Sequence, residues 1–455
     1  MKKICFISHG HPVANPRMIR SANALAEAGY AVSVVTPRFI GKWAAEDGDL
    51  VKKARWTHHP VEFLNGRIAR LRWQWVRFRL HAHRHLFRVI PVEAVAARAC
   101  CYANPELARM ALGERADLYI AQQHQALPAA AWAADRAQSR LAFDAEDLQA
   151  DYSMESGRAI HRWLEDRYLK RCAYVSTMAP PAARWLQDRH NLPKSPIVLR
   201  NVPYLAERQG VLPPARRSVR QQVSLYWMGQ TIGPHSQAGN VLQAMARISR
   251  PIRLVLQGHP DSAYVEGLRR QAQSLGLAGR LEIRPPVPPG EVIRAASEYD
   301  IALATQPDHE PFHELSLGNK AFAGMMAGLA LMLADTEAYR ELVVDAPGFG
   351  VIVPSDRPEV LAERLGALLE TPGLLLQMKQ KSWEWAETRY NWEKESETLL
   401  AAVKEVLGTP VPSSPAGSFS SSPAGSGGGS MDSPPAAGGN DGGAAGGNDD
   451  KGEVC

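Results

Sequence analysis

The feature that most constrains the fold is an alternation of short apolar segments with helical segments, which runs along the chain twice. The first series opens with the apolar run Ile4–Ile7, a helical segment from Arg17 to about Ala28, and a second apolar run, Ala31–Val35. This order predicts a βαβ unit, in which a helix connects two parallel strands. Further strand candidates extend the series and predict a doubly wound sheet. They are Leu118–Ala121, Leu141–Phe143, Tyr174–Thr177 and Ile197–Leu199.

The pattern restarts after a polar stretch without periodicity. Between Asn201 and Val223 the chain is rich in proline and arginine, which is typical of a connector between domains. A second series of strands and helices then begins at Leu225–Gly229 and includes Arg253–Gln257 and Ile301–Leu303. We therefore predict an α/β protein with two Rossmann-like sheets facing each other. A ligand is expected in the cleft between them, beyond the carboxyl ends of the strands.

Composition argues against several other classes of protein. A formal net charge of +5 over 455 residues gives no bulk electrostatic reason to expect a nucleic-acid partner. The five cysteines show neither C-x-x-C spacing nor a His-Cys metal pattern, so we expect a reduced, cytoplasmic compartment and no metal site. No stretch reaches the roughly 18 to 20 apolar residues of a membrane span, and the first residues lack the features of a signal peptide.

The stretch from Ser316 to Leu329 is the most informative about function. It places Gly318 and Asn319 at a turn, Lys320 in the first turn of a helix, and small residues along that helix. Backbone amides and a lysine at the start of a helix bind anions, and small residues let a ligand approach closely. Taken alone, this stretch is equally consistent with a buried helix and an ordinary cap.

The same stretch resembles the donor-site motif S-L-P-N-K-x-F-E-Y-M-A-A-G-L-P-V of retaining, nucleotide-sugar-dependent glycosyltransferases of the glycogen-synthase and sucrose-synthase type (glycosyltransferase family 4, group 1). Ala323 stands where that family has the glutamate that binds the nucleotide ribose. The resemblance implies a GT-B fold, a nucleotide-diphosphate sugar as donor substrate, and no further cofactor or metal. The matching residues are Asn319, Lys320, Phe322, Met325, Ala327, Gly328 and Leu329.

Two stretches of the first domain carry the same likeness. Asn15-Pro16-Arg17-Met18 resembles the family's D-P-R-V, and Phe143–Leu148 resembles Y-D-A-H-E and keeps Asp144. The loop before Arg17 has only Gly10 where a dinucleotide-binding G-x-G-x-x-G needs three glycines. We predict donor-binding roles for Gly10 and Arg17 and a catalytic role for Asp144. The alternative is a structural strand-to-helix turn and a polar strand end.

His124 follows the strand candidate Leu118–Ala121, where a strand opens toward the cleft. A histidine there can accept or donate a proton at neutral pH, so we predict that His124 is catalytic. The alternative is a structural histidine, which is the more common role of an isolated one. Lys320 completes the predicted catalytic set, because its charge would oppose the charge developing on a departing diphosphate.

The second domain departs from the family at its first strand. Gln230 and His235 stand where family members place an arginine and a lysine that neutralise the pyrophosphate, and an amide supplies a hydrogen bond but no charge. Glu310 and Glu314 lie upstream of Lys320, where carboxylates could replace the missing glutamate. The predicted donor-binding residues of this domain are Gly229, Gln230, Glu310, Glu314, Asn319 and Lys320.

We predict five segments, with roles taken from the resemblance. The last 48 residues are rich in Gly, Pro, Ser and Ala and lack the apolar residues of a core, which predicts a disordered tail. The segments are an acceptor-side domain (1–205), a linker (206–222), a nucleotide-sugar-binding domain (223–376), a helix crossing back to the first domain (377–407) and the tail (408–455).

Residues 63–92 contain seven arginines and no acid. Leu64, Ile68, Leu71, Trp75, Phe78 and Ala82 recur at helical spacing. A second set with the same period is mostly basic: Arg67, Arg70, Gln74, Arg77, His81 and Arg84. This pattern predicts an amphipathic helix. Its apolar stripe is most simply interpreted as core packing, and the alternative is a surface that meets anionic lipid or the phosphate of a lipid-linked acceptor.

The sequence therefore predicts a hexosyltransferase-type enzyme that acts on a glycan or lipid-linked acceptor in the biosynthesis of surface polysaccharide. It would be cytoplasmic, with peripheral contact to the inner face of the membrane through residues 63–92. The departures at Ala323 and Gln230 keep open a catalytically degenerate protein that serves as a binding or scaffolding subunit. A nucleotide-sugar epimerase on the same scaffold is a further alternative.

Overall fold

The computed structural model of the chain describes residues 1–65, 68–146, 148, 150, 155–218, 222–307, 311–371 and 373–408. Two parallel sheets, each covered by helices, confirm the predicted fold class of two Rossmann-like domains. We call the part built on the first sheet the first lobe and the part built on the second sheet the second lobe. The predicted tail, apart from Gly408, lies outside the described residues.

The first lobe contains a seven-stranded sheet in the order β3-β2-β1-β4-β5-β6-β7, with every neighbouring pair parallel. The strands are β1 (Lys3–Ser8), β2 (Ala31–Arg38), β3 (Thr57–Glu62), β4 (Leu118–Gln122), β5 (Arg140–Glu146), β6 (Val175–Thr177) and β7 (Ile197–Val198). The described helices are α1 (Pro16–Glu27), α2 (Gly41–Val51), α3 (Ala69–Phe87), α4 (Glu93–Cys100), α5 (Asn104–Gly113), α6 (Leu127–Ala137), α7 (Glu155–Tyr168) and α8 (Pro180–His190).

The second lobe contains a six-stranded sheet in the order β10-β9-β8-β11-β12-β13, also with parallel neighbours. The strands are β8 (Val223–Ile232), β9 (Ile252–Pro260), β10 (Leu281–Arg284), β11 (Ile301–Ala304), β12 (Ala330–Ala334) and β13 (Gly350–Val353). The helices that follow them are α9 (Ala238–Met245), α10 (Ser262–Ser274), α11 (Val292–Ala296), α12 (Pro311–Leu315), α13 (Asn319–Met326), α14 (Glu337–Asp345), α15 (Pro358–Glu370), α16 (Leu374–Thr388) and α17 (Trp392–Gly408).

Three strands were not predicted from the sequence. β3 carries His58, His59 and Pro60 in place of an apolar run, and it lies at the edge of its sheet, where a proline is tolerated. β12 follows α13 after only a short turn, so one apolar stretch serves both elements. β13 is only four residues long.

The C-terminal helical segment is two helices rather than the one predicted. Arg389 ends the first, and the side chain of Asn391 accepts a hydrogen bond from the Lys394 amide at 3.0 Å near the start of the second. The second helix, α17, packs on α1 and β7 of the first lobe. At its start Trp392 is buried and donates its amide to the carbonyl oxygen of Pro203 at 2.9 Å.

The amphipathic helix of the basic segment forms as α3, but its burial differs from the predicted core packing. Leu71, Trp75 and Phe78 are exposed, whereas Val76 and Leu80 are buried. The helix packs on α4, and the face that it buries is not the stripe that the sequence suggested. Among the described helices, none is long and apolar enough to cross a bilayer.

Candidate active site

In each sheet the strand order reverses at one point, which is where open parallel sheets bind ligands. In the first lobe the reversal lies between β1 and β4, and in the second lobe it lies between β8 and β11. The loop containing Gly10 follows β1, and His124 follows β4. The chain that leads from β11 into α13 brings Lys320 to the other reversal. The topology therefore brings three predicted residues to the two expected ligand-binding edges.

The loop after β1 is built as the sequence predicts. Pro16 is the first residue of α1, and the side chain of Asn15 accepts a hydrogen bond from the Met18 amide at 2.9 Å. Gly10 donates its amide to Ser8 Oγ at 3.3 Å, and no atom lies within 4 Å of the place where a Cβ would stand. The open space beside Gly10 is compatible with a ligand, and its donor-binding role stays a prediction.

His11 holds this loop to the end of β2. Its Nε2 accepts hydrogen bonds from the amides of Phe39 (3.2 Å) and Ile40 (3.1 Å), so its Nδ1 carries the proton and donates to Asp47 Oδ2 at 2.6 Å. His11 and Asp47 are both buried. Sequence reasoning missed this pair, whose members are 36 positions apart on a loop and a helix.

Arg17 and Asp144 bind each other. Arg17 Nε lies 2.7 Å from Asp144 Oδ2 and Arg17 Nη2 lies 2.8 Å from Asp144 Oδ1, a bidentate ion pair. Arg17 also donates to the Leu199 carbonyl oxygen, and Asp144 accepts from Ser176 Oγ at 2.9 Å. Burial alone would lower the pKa of Arg17, but the charge and hydrogen bonds of Asp144 outweigh it and raise that pKa. The side chains of Arg17 and Asp144 are 0% and 3% exposed, so in this structure they bind each other and hold α1 to β5. Their roles toward a sugar stay predictions.

His124 belongs to a buried network that the sequence did not reveal. Its Nε2 lies 2.7 Å from Glu165 Oε1, and the other oxygen of Glu165 lies 3.1 Å from His190 Nε2. Burial alone would raise the pKa of Glu165, but hydrogen bonds and charge from the two histidines lower it to about 2. His124 Nδ1 is buried and has no hydrogen-bond partner among the described residues. His124 is thus oriented by a carboxylate through one ring nitrogen, while the described part of the chain offers no partner to the other.

Two residues with left-handed backbone meet at the ends of β4 and β5. Gln123 has φ 64° and ψ 167°, a region that is almost exclusive to glycine, and Glu146 has φ 51°. The Gln123 side chain donates to Glu146 Oε2 at 2.9 Å. Such backbone strain costs about 1–3 kcal/mol per residue and concentrates at functional sites. This pair marks the carboxyl edge of the first sheet more sharply than any sequence motif did.

Lys320 is a half-buried cation at the start of α13. Its Nζ lies 5.1 Å from the ring centroid of Trp227, and no carboxylate forms an ion pair with it among the described residues. Burial lowers its pKa to about 8. The neighbouring Asn319 is exposed, and Gly318 provides the cap of the helix. At the start of α13 the Gly318 amide donates to the Tyr339 hydroxyl at 3.2 Å and the Ala321 amide donates to the Gly318 carbonyl oxygen at 3.1 Å. The ammonium of Lys320 and the amides of Asn319 and Lys320 are the groups of this helix start that an anion could meet.

Gly229 and Gln230 lie inside β8, not in a loop after it. They occupy an irregularity where the pairing with β9 shifts register between Met228 and Thr231. A Cβ on Gly229 would stand 2.4 Å from the buried ring of Trp227, so glycine is required there. Gln230 is exposed. Burial and the charge of Lys320 lower the pKa of His235, which keeps that ring from supplying the missing positive charge at neutral pH.

Glu314 does not point freely into solution. Its Oε2 accepts a hydrogen bond from the Glu337 amide at 2.9 Å, at the start of α14. Ala323 is 9% exposed, and its methyl group cannot replace the ribose-binding carboxylate of the resembled family. Glu310 lies outside the described residues. The donor-binding roles of Glu310 and Glu314 stay predictions.

An ion pair joins the lobes beside these edges. Arg184 on α8 donates to Glu337 at 2.9 Å and to Glu341 at 3.2 Å, both on α14. Helix α8 follows β6, and α14 follows β12, so both helices start at the carboxyl edges of their sheets. The two predicted ligand-binding edges therefore approach each other on this side of the molecule.

The comparison with protein families matches one part of the chain. Residues 14–202 match the glycosyl transferase 4-like domain, and this range contains Arg17, His124 and Asp144. The D-inositol 3-phosphate glycosyltransferase of Segniliparus rotundus is 27% identical over 172 residues. That alignment covers 37% of this chain and 36% of the relative, so the match spans about a third of the relative's length.

Solved structures match almost the whole chain. Anabaena HepE in complex with UDP and glucose aligns with a TM-score of 0.66 and 14% identity, over 89% of this chain and all of that one. A glycosyltransferase from Rickettsia africae aligns with a TM-score of 0.66 and 11% identity, over 90% of this chain and 99% of that one. At these identities the likeness concerns the fold. The chain has the two-lobed GT-B fold of glycosyltransferases, and its first lobe matches the glycosyl transferase 4-like domain.

Proposed function

We propose that the protein is a hexosyltransferase-type enzyme that transfers a sugar from a nucleotide-diphosphate donor to a glycan or lipid-linked acceptor, in the biosynthesis of surface polysaccharide. The observation that carries the proposal is the arrangement of Lys320 on Trp227 at the start of α13. A half-buried ammonium without a carboxylate partner among the described residues is costly, and a bound diphosphate would supply the missing charge.

The chemistry follows from where charge develops. When the bond between the sugar and the diphosphate breaks, negative charge grows on the leaving oxygen. Lys320 and the first amides of α13 would oppose that charge, and their fixed positions stabilise the transition state without reorganisation. His124 is fully buried, so its Nδ1 would reach a hydroxyl of the sugar or acceptor only after the side chains that cover it move aside.

The comparisons support a nucleotide donor by analogy. HepE is described in complexes with UDP and with UDP-glucose, and the Segniliparus protein is a D-inositol 3-phosphate glycosyltransferase. The second candidate is a catalytically degenerate protein that serves as a binding or scaffolding subunit. The observations behind it are the departures from the family at Gln230 and Ala323. The two candidates differ in whether a bound donor is consumed.

Calorimetric titration with UDP and GDP tests the proposal, followed by a hydrolysis assay with their sugars. We expect diphosphate binding to the wild type that weakens roughly 10- to 100-fold in Lys320→Ala, because a hydrogen bond to a charged group contributes about 1.5–3 kcal/mol. The matched control is Lys404→Ala, an exposed lysine of α17, which should bind like the wild type. If neither UDP nor GDP binds, the proposal is overturned. If a diphosphate binds but the protein releases no diphosphate from any nucleotide sugar, the scaffolding subunit is favoured.

A further inference from the structure

Helix α3 has two apolar faces on opposite sides. Ala69, Val76, Leu80 and Phe87 are buried against the first lobe. At 100° per residue, Leu71, Trp75, Phe78, Ala82 and Leu86 form a second stripe on the far side of the helix. Leu71 is 66% exposed, Trp75 59% and Phe78 63%, and the two rings lie 5.9 Å apart.

This second stripe is a continuous apolar surface and continues into the turn after the helix. Of the 13 large apolar residues that are exposed among the described residues, eight fall between positions 68 and 92. The other five are scattered over the molecule. A concentration of this kind marks an interaction surface, whereas isolated exposed apolar residues are ordinary. We call these eight residues the α3 patch: Ile68, Leu71, Trp75, Phe78, Leu86, Val89, Ile90 and Val92.

The flank of the α3 patch is positively charged. At 100° per residue, Arg77 and Arg88 lie together on one flank of α3, about 80–100° around the helix axis from Phe78. Both are exposed, and neither has an ion-pair partner among the described residues. By contrast, Arg79 points back toward the lobe and pairs with Glu106 at 2.6 Å. Because residues 63–92 contain no acid, nothing within the segment neutralises the exposed arginines.

We propose that the α3 patch docks the protein on the surface of an anionic lipid bilayer. A helix that presents Trp, Phe and Leu between arginines lies in the membrane interface, with its rings at the level of the headgroups and its cations on lipid phosphates. A second copy of the chain fits less well. A symmetric contact would bring the arginines of two copies together without acids from the segment to pair with them.

The helix that carries the docking surface packs on the loop after β1 through two layers of aromatic side chains. Trp73, on the inner side of α3, stacks on Phe39 at 5.2 Å, and Phe39 lies 4.9 Å from the ring of His11. Tyr102 contacts Trp73 at 5.0 Å and donates its hydroxyl to the carbonyl oxygen of His9 at 3.2 Å. Docking therefore holds the first-lobe edge of the candidate active site one helix and two layers of aromatic side chains away from the headgroups. Resting on the proposed function, this geometry favours an acceptor held in the bilayer.

The docking is tested by co-sedimentation of the full chain with phosphatidylcholine vesicles, with and without 30% phosphatidylserine. We expect binding to the anionic vesicles only, which weakens as salt is added. The double variant Trp75→Ser/Phe78→Ser should no longer bind the anionic vesicles. In Arg77→Gln/Arg88→Gln the affinity for these vesicles should fall roughly fivefold per arginine, because each arginine contributes about 1 kcal/mol at such a surface. The matched controls are Val344→Ser, which is 82% exposed on α14, and Arg247→Gln/Arg250→Gln, and they should bind like the wild type.

Retention of the wild type in the supernatant at low salt would overturn the docking. Equal binding by the Trp75→Ser/Phe78→Ser variant would also overturn it. If light scattering instead shows a wild-type dimer that this variant converts to a monomer, a second copy covers the α3 patch and the proposal fails. UDP binding is measured separately, so failure of the docking leaves the proposed function standing, and failure of UDP binding leaves the docking standing.

Discussion

The guanidinium of Arg17 and the carboxylate of Asp144 form a bidentate ion pair between residues 127 positions apart. The pair fixes the first turn of α1 to the end of β5. Ser176 and the Leu199 carbonyl bind the same two groups, so four segments of the first lobe meet at one buried charge pair. The loop after β1, at the candidate active site, leads directly into the helix turn that this pair holds.

Asp144→Asn should destabilise the protein by about 3–5 kcal/mol, because it leaves the buried charge of Arg17 without a counter-ion. Urea unfolding followed by circular dichroism measures the change. Glu266→Gln removes a carboxylate that lies 4.0 Å from Arg269 at the exposed surface, and it should change the free energy of unfolding by less than about 0.5 kcal/mol. Equal effects of the two substitutions would show that the buried pair is not structural.

The fold was predictable because strands buried in parallel sheets leave apolar runs in the sequence. Three strands were not predicted. β3 carries His58 and Pro60 at a sheet edge, β12 continues the apolar stretch of a helix, and β13 is only four residues long. The site was less predictable. Lys320 was found by a local motif at a helix start, whereas the partners of His124 and His11 come from other elements. No local pattern records such long-range pairs. For α3 the periodicity was correct and the buried face was wrong, because both faces are apolar.

Glu165→Gln should destabilise the protein at neutral pH by about 3 kcal/mol, since it removes the carboxylate that binds His124 and His190. The pKa of Glu165 is about 2, below its ordinary value of 4.5. Its ionised form therefore contributes stability above pH 4.5, and that contribution is lost as the pH falls toward 2. The difference between wild type and variant should shrink on acidification. Asp166→Asn, which changes the exposed partner of His190, should show a small difference at every pH.

Lys320→Met should reveal an opposite pH dependence. The pKa of Lys320 is about 8, below its ordinary value of 10.5, so between these values the unfolded chain binds more protons than the folded protein. The stability of the wild type relative to the variant should therefore rise by about 1–2 kcal/mol from pH 8 to pH 10.5, after allowance for solvent screening. UDP affinity should fall over the same range, because the ammonium is lost. A flat difference between wild type and variant would contradict the lowered pKa.

Gly229→Ala should both destabilise the second lobe and weaken UDP binding. The added methyl group would stand 2.4 Å from the ring of Trp227, which is fully buried and cannot move aside without repacking. Overpacking of this kind costs about 1–3 kcal/mol, and a displaced Trp227 would no longer support the ammonium of Lys320.

The matched control is Gly267→Ala in α10, where no atom lies within 4 Å of the new methyl group. That substitution should stabilise the protein by about 0.5–1 kcal/mol and leave UDP binding unchanged, because alanine favours a helix interior. Thermal unfolding with and without UDP measures both effects, and an unaltered response to UDP in Gly229→Ala would show that Trp227 does not support the anion site.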